Sequence, residues 1–335
     1  MKRLILLAVI ILIMSAVCVS LGVQHMRTYA NTPLETDARH ISLTIRKGDT
    51  LFDVIATLRE AGLDISSRKF RLIARYTKYD TQLHAGDFYI STGFTPIELL
   101  KYLAEGKVRL YRLTIPEGFT LSQIAGRVAA LPCGIKKADF IAAAAAETWR
   151  NRLQIPTQNL EGYLFPDTYY FPLQTDADAV VSAMAHRFSS VFTDAWKQRA
   201  TTIGLSPHQV VTLASIIEKE TGAPEERPRI ASVFHNRLKR EMRLESDPTV
   251  IYGIPDFDGN ITRKHLKTWT PYNTYRINGL PPGPIANPGA AALHAALYPE
   301  TTEFIFFVSK QNGSHHFSKN LREHNKAVIK YQLRR

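Results

Sequence analysis

The chain has 335 residues, a net charge of +12 from 42 basic and 30 acidic residues, and two cysteines. The length suffices for two domains with ordinary hydrophobic cores. Two cysteines exclude a disulfide-stapled scaffold, so stability must come from those cores.

Residues 4–23 form an uncharged, mostly apolar run that is long enough to cross a bilayer as a helix. The run is longer than a signal-peptide core and no clear A-x-A cleavage pattern follows it, which favours an uncleaved anchor. Lys2 and Arg3 precede it and only Arg27 follows closely, which predicts a cytoplasmic N-terminus at residues 1–3. The remainder is then expected outside the inner membrane, in the periplasm, beginning with a polar linker at residues 24–40.

The basic balance suits an acidic partner of this exported part. Because no nucleic-acid-binding motif is recognisable, anionic lipid or the carboxylates of cell-wall peptides fit the charge better. Charge alone does not choose between these two, and nucleic acid is not expected.

A strand, turn and helix are predicted where ordered structure begins. Residues 42–46 alternate as a strand, 47–49 form a turn, and Thr50 caps a helix. A similar pattern recurs 70 residues later, around Thr120. Residues 41–110 resemble the LysM glycan-binding module through Lys-Gly-Asp-Thr-Leu at 47–51, although a small α/β packing module without a ligand fits equally well.

The rest of the chain, residues 111–335, is predicted to be a mixed α/β domain, which makes the fold class α+β. Its apolar spacing favours helices and one buried strand, separated by an aromatic, turn-rich segment at residues 161–171. The helices are predicted at 136–153, 177–202, 206–222 and 229–242, and the strand at 304–308.

Two carboxylates stand at the end of the helix predicted at 206–222. Glu218 and Glu220 project about 200° apart at 100° per residue, so they do not form a same-face pair. Either one could have its pKa raised by apolar neighbours, as a general acid requires. From the residues alone, both are equally consistent with solvated charges at a helix end.

Six motifs together resemble the MltG (YceG-like) endolytic murein transglycosylases and occur in the same order. They are residues 161–168 (EGYLFPDT), 214–221 (ASIIEKET), 247–253 (DPTVIYG), 272–275 (YNTY), 279–285 (GLPPGPI) and the pair His324-Asn325. The resemblance implies a peptidoglycan lyase that cleaves the β-1,4 bond between N-acetylmuramic acid and N-acetylglucosamine within strands, leaving 1,6-anhydro ends.

The resemblance also selects the catalytic residue. The catalytic glutamate of lytic transglycosylases is followed by Ser or Thr, which matches Glu220-Thr221 and leaves Glu218-Lys219 unmatched. The family often has Gln-Thr where this chain has Glu245-Ser246, so a substrate role of residue 245 is not carried over.

Four polar residues of the later motifs are candidates for substrate binding, with structural roles as the alternative. They are Asp247, Tyr272, Asn273 and Tyr275.

The reaction that the resemblance implies requires no cofactor, and no metal is expected, because His315, His316 and His324 lack a convincing three-ligand spacing. The expected partners are glycan strands, the membrane and peptidoglycan synthases (penicillin-binding proteins). Two alternatives stay open: a non-catalytic peptidoglycan-binding scaffold, and a hydrolytic muramidase with Asp247 as its second carboxylate.

Overall fold

A computed structural model describes residues 2–220, 223–254 and 257–333. The chain divides into two compact units. The first contains residues up to Tyr111 together with Phe171–Thr175, and the second contains Arg112–Tyr170 and the chain from Asp176 onward. Helices combine with small two-stranded sheets, which confirms the predicted α+β class.

The first unit surrounds an antiparallel pair of strands. Strand β1 pairs with β2 so that His40 lies opposite Ser91 and Ile45 opposite Gly86. Side chains on one face of the pair, including Leu43 and Phe88, are buried against the helices. The elements are α1 (Lys2–Asn31), β1 (His40–Ile45), α2 (Leu51–Glu60), α3 (Ser67–Thr77), β2 (Gly86–Ser91) and α4 (Pro96–Ala104).

Helix α1 is the one helix among the described residues that is long and apolar enough to cross a membrane, over Ile5–Asn31. It corrects the predicted linker, because residues 24–31 continue the helix. Ala30 is buried in the core of the first unit, and Met26 and Tyr29 pack against that core. These three side chains repeat at helical spacing within a polar stretch, a short signal that is easily read as aperiodic.

The two predicted strand, turn and helix repeats are confirmed. Thr50 caps α2 with a capping box to Asp53, and Thr120 caps α5 (Leu121–Ala129) with a capping box to Gln123. In each box the threonine hydroxyl accepts from a backbone N–H, and the partner side chain accepts from the threonine N–H. The second repeat begins with β3 (Leu110–Thr114).

Two long predicted helices are each divided in the second unit. Residues 136–153 form α6 (Lys137–Ala144) and α7 (Glu147–Leu153). Residues 177–202 form α8 (Ala177–Val191) and α9 (Asp194–Thr202). Buried Phe192 lies at the second break and stacks on Phe188 at 5.5 Å, so apolar spacing continues through a bend that the backbone makes.

Helix α10 (Pro207–Glu220) is the central helix of the second unit. Eight consecutive residues, 210–217, are buried, which shows that other elements surround this helix on all sides. The predicted cap is confirmed, because the Ser206 hydroxyl accepts from the Gln209 N–H at 3.2 Å. The predicted stop at Gly222 lies outside the described residues.

The remaining elements complete the second unit around α10. Strand β5 lies at the predicted apolar segment but begins two residues later, and it is only partly buried: Phe306 and Phe307 are half-buried, whereas Val308 is buried. Strand β4 (Thr168–Pro172) belongs to the second unit up to Tyr170 and to the first unit from Phe171. The other elements are α11 (Arg227–Lys239), α12 (Asp247–Tyr252), α13 (Arg263–Lys267), α14 (Ala290–Leu297), β5 (Phe306–Ser309), β6 (His315–Ser318) and α15 (Leu321–Val328).

Candidate active site

The end of α10 places Glu218 and Glu220 in different surroundings, as their predicted angular separation requires. The Glu218 side chain is 5% exposed and forms an ion pair with Arg227 at 2.9 Å. Its second oxygen, Oε2, accepts from the Gly289 N–H at 2.9 Å. Each oxygen of Glu218 is therefore engaged by a structural partner.

Glu220 has one engaged oxygen. The Ser246 hydroxyl donates a short hydrogen bond to Glu220 Oε1. Among the residues that the structure describes, Oε2 has no hydrogen-bond partner. A half-buried carboxyl with one oxygen held and the other available has the geometry that a general acid needs.

Burial raises the pKa of Glu220 to about 7, against an ordinary 4.5. The Ser246 hydroxyl and the charge of Arg237 oppose this rise in pKa, whereas the negative charge of Asp247 adds to it. Glu220 also lies in the C-terminal turn of α10, where backbone carbonyls disfavour a negative charge. The side chain can therefore hold a proton at neutral pH and release it at little cost.

Arg237 of α11 holds the segment at residues 244–246, which contacts Glu220 through Ser246. This buried guanidinium donates to the carbonyls of Ile305 and Leu244 at 2.7 and 2.8 Å and pairs with Glu245 at 3.2 Å. Glu245 itself has a left-handed backbone, with φ of 53°. This turn directs Ser246 toward Glu220 and gives residue 245 a structural role in this chain.

Asp247 and Tyr275 form a second polar pair close to the site. The Tyr275 hydroxyl donates to Asp247 Oδ1 at 2.7 Å, and Asp247 is near enough to Glu220 for its charge to affect the pKa of that residue. The structure thus groups two of the predicted substrate residues beside Glu220.

Asn273 is different from the other predicted substrate residues, because its side chain is fully buried. Its amide donates to the carbonyls of His265, Leu266 and Thr268, and its oxygen accepts from the Tyr275 N–H at 3.0 Å. No polar atom of Asn273 is left for a ligand. This corrects the expectation of direct substrate contact: Asn273 shapes the loop that presents Tyr272 and Tyr275.

Tyr272 belongs to an aromatic and carboxylate group that sequence reasoning did not identify. Its ring packs on Tyr252 at 4.8 Å, and the Tyr252 hydroxyl donates to Glu161 at 3.3 Å. Buried Glu161 also accepts from the Leu121 N–H at 3.0 Å and from Asn287 at 2.9 Å. Burial raises the pKa of Glu161 to about 7. The sequence signal for this network is Glu161 itself, a glutamate at the start of the largely apolar motif at 161–168.

The glycine and proline loop at residues 279–285 is attached directly to α10. The Ser215 hydroxyl accepts from the Ile285 N–H at 3.0 Å, and His208 donates to the Pro282 carbonyl at 2.8 Å. Pro284 lies so close to Gly162 that an added Cβ there would be 2.4 Å from its ring. The prolines and glycine thus let two chain segments approach closely beside the helix that ends in Glu220.

The described residues contain no group of three His, Cys, Asp or Glu side chains that could hold a metal ion. Of the histidines considered in the sequence, His315 pairs with Glu226 at 2.6 Å and His324 stacks on Phe306 at 4.9 Å. The residue that follows Glu220 in the motif, Thr221, lies outside the described residues.

Two relatives of known name match most of this chain. An endolytic murein transglycosylase of Bacillus subtilis (strain 168) is 34% identical over 316 residues, which cover 89% of this chain and 87% of the relative. An endolytic murein transglycosylase of Streptococcus pneumoniae (strain R6) is 28% identical over 334 residues, covering 89% of this chain and 60% of the longer relative.

A solved structure and a family model extend the similarity to the fold. The crystal structure of a yceG-like protein from Listeria monocytogenes superposes with a TM-score of 0.59 at 34% identity, covering 87% of this chain and all of that one. The sequence model of the YceG-like family matches residues 43–330. The match spans both compact units and every residue of the site, and the chain therefore belongs to the YceG-like family.

Proposed function

We infer that this chain is an endolytic murein transglycosylase in which Glu220 is the single catalytic acid and base. The two named relatives carry this activity in their names. The assignment to Glu220 is supported by the different environments of the two glutamates at the end of α10. Glu218 is bound by Arg227 and by the Gly289 N–H, one on each oxygen. Glu220 keeps one oxygen available, and its pKa is raised to about 7.

Protonated Glu220 donates its proton to the glycosidic oxygen between N-acetylmuramic acid and N-acetylglucosamine. As the C1–O bond breaks, the muramyl 6-hydroxyl attacks C1 and gives its proton to the Glu220 carboxylate. One bond forms for one that breaks, the N-acetylglucosamine leaves as an alcohol, and the enzyme regains its proton. No water is consumed, so this reaction does not need the second carboxylate of a hydrolase.

Ser246 and Arg237 serve the stage at which Glu220 is ionised, because both favour its negative charge. Asp247 favours the protonated stage. Tyr272 and Tyr275 offer ring faces and hydroxyls of the kind that bind N-acetyl sugars, and we assign substrate binding to them together with Asp247.

Helix α1 is assigned as an uncleaved single-pass anchor in the inner membrane. Lys2 and Arg3 before the apolar run support a cytoplasmic N-terminus by the charge bias, and with it a periplasmic second unit. Cutting would then be concentrated on strands made close to the bilayer, where peptidoglycan synthases work. Glycan binding by the LysM-like module, residues 41–110, belongs to the same proposal.

Digestion of purified peptidoglycan followed by mass spectrometry of the new ends tests the reaction. The expected products are internal cuts with 1,6-anhydromuramyl ends. Reducing muramyl ends would instead support a muramidase that uses Asp247, and intact peptidoglycan that still binds the protein would support a scaffold. Proteolysis of sealed, oriented membrane vesicles tests the orientation, since periplasmic exposure of the second unit is required.

A further inference from the structure

Helix α3 carries a basic stripe on the outer face of the first unit. Arg68, Arg71 and Arg75 recur at helical spacing and are all exposed. None of the three forms an ion pair or a side-chain hydrogen bond with another described residue. The arginines line an open cleft of about 470 Å³ that also contains one carboxylate, Asp80, which leaves the cleft with a net positive charge.

Large apolar side chains are exposed between these arginines. Leu72 of α3 is 56% exposed and Phe52 of α2 is 63% exposed, and both line the same cleft. Tyr76, one turn further along α3, is 90% exposed. Arginines that alternate with exposed apolar and aromatic side chains are typical of surfaces that lie in the interfacial layer of a membrane.

Contacts with α1 set the distance between the start of α3 and the apolar run of α1. Tyr29 of α1 packs on the core of the first unit, and Lys69 of α3 lies 5.1 Å above its ring. Tyr29 follows the apolar run by six residues, which is about 9 Å of helix. The interfacial layer is about 5–8 Å thick on each side of the hydrocarbon. The start of α3 is therefore within about one Debye length of the headgroups.

We propose that the face formed by Arg68, Arg71, Leu72, Arg75 and Phe52 docks on the acidic phospholipid headgroups of the membrane that α1 crosses. This inference rests on the proposed role of α1 as an anchor. Net charge alone left lipid and peptide carboxylates open, and the exposed Leu72 and Phe52 in the same cleft favour lipid. Apolar side chains beside arginines suit the interfacial layer of a membrane, whereas peptide carboxylates would leave those side chains in water.

A fluorophore sensitive to polarity tests this contact in the full-length chain. The label is attached through Leu72→Cys in a Cys18→Ala, Cys133→Ala background, and the protein is reconstituted in nanodiscs of phosphatidylcholine with or without phosphatidylglycerol. Emission from position 72 is expected to shift to shorter wavelength when phosphatidylglycerol is present. A label at Gln198→Cys, an exposed position of the second unit, serves as the control and is expected not to shift.

Neutralising variants test the role of the charges. Combined Arg68→Gln, Arg71→Gln and Arg75→Gln is expected to abolish the shift. The matched triple on α13, Arg263→Gln, Lys264→Gln and Lys267→Gln, removes the same charge and is expected to leave the shift intact. The proposal is overturned by equal emission in the two lipids, or by a shift that purified muropeptides produce without acidic lipid.

A different measurement, co-elution with nanodiscs, tests the assignment of α1 as an anchor. If the unlabelled chain does not co-elute with nanodiscs, the assignment of α1 as an anchor fails and this proposal fails with it. If the chain co-elutes and cleaves glycan strands but position 72 shows no shift, only the docking surface is refuted.

Discussion

Glu218 and Glu220, separated by one residue on α10, have different electrostatic partners. Glu218 neutralises buried Arg227, and Glu117 lies 3.8 Å from the same guanidinium. Among the residues that the structure describes, the Glu220 side chain has no cationic partner in direct contact, and its one hydrogen-bond partner is the Ser246 hydroxyl. The charge of Glu218 stabilises the packed structure by pairing with Arg227. The charge of Glu220 is disfavoured by its surroundings, so this carboxylate can take up and release a proton during a reaction.

The exchange Glu220→Gln removes the transferable proton while keeping the shape of the side chain. We expect the rate of glycan cleavage to fall by about 10²–10⁴-fold, with no loss of thermal stability at pH 8. The matched exchange Glu218→Gln is expected to cost about 3 kcal/mol of unfolding free energy, because it breaks a buried ion pair. Cleavage assays and thermal melts on both variants measure this contrast. A fully active Glu220→Gln protein would transfer the catalytic role to another residue.

The pH dependence of cleavage provides a second test of Glu220. Since the protonated carboxyl is the acid and its pKa is about 7, kcat/KM should fall as pH rises through 7. Ser246→Ala removes a hydrogen bond that favours the ionised form, so the fall should move to higher pH. Asp247→Asn removes a neighbouring negative charge, so it should move to lower pH, each by roughly 0.5–1 pH unit. Shifts in the same direction for both variants would contradict this electrostatic assignment.

The sequence predicted some of these residues but not their partners. The separation of Glu218 and Glu220 followed from helix geometry, and family resemblance selected Glu220. Arg237 and Ser246 could not be inferred, because their contacts depend on how α11 packs and on a left-handed turn at Glu245. Asn273 is a candidate for substrate binding in the sequence, because an amide can hydrogen-bond a sugar as well as a loop backbone. Only its burial and its contacts show that the loop uses both amide hydrogens.

At the level of elements, α10 is both the core of the second unit and the support of the candidate site. Its start was predictable from the Ser206 cap. The attachment of the 279–285 loop to its middle was not, because a buried serine within an apolar helix gives no sign of its partner. Ser215 provides that attachment, with its hydroxyl donating to the Thr212 carbonyl and accepting from the Ile285 N–H.

The exchange Ser215→Ala should therefore act on the loop. It leaves the Ile285 N–H buried without an acceptor, which costs about 1–3 kcal/mol of unfolding free energy. We also expect KM for glycan strands to rise more than kcat falls, because Glu220 itself keeps its contacts. Ser190→Ala, which removes a hydroxyl from an exposed position of α8, is the control and should change neither value. Unchanged stability in Ser215→Ala would show that this hydrogen bond is not needed to hold the loop.

At the scale of the whole molecule, α1 combines two roles that the sequence suggested were separate. Its apolar part is long enough to cross a membrane, and its last turns are part of the core of the first unit, where Ala30 is 8% exposed. The boundary between anchor and linker was misplaced because three apolar side chains in a polar stretch carry little periodic signal. Packing against α3 and α4 decides the structure of that stretch.

Two truncations separate anchoring from packing. A chain that begins at Gln24 loses the apolar run but keeps Met26, Tyr29 and Ala30, whereas one that begins at Pro33 loses all three. Neither should bind membranes through α1. Because the shorter chain exposes the core, we expect it to lose about 2–4 kcal/mol of stability in the first unit. Hydrogen exchange at the paired amides of β1 and β2 measures this loss directly. Equal protection in the two truncated chains would mean that residues 24–31 only extend the anchor, and the helical packing described for them would not contribute to folding.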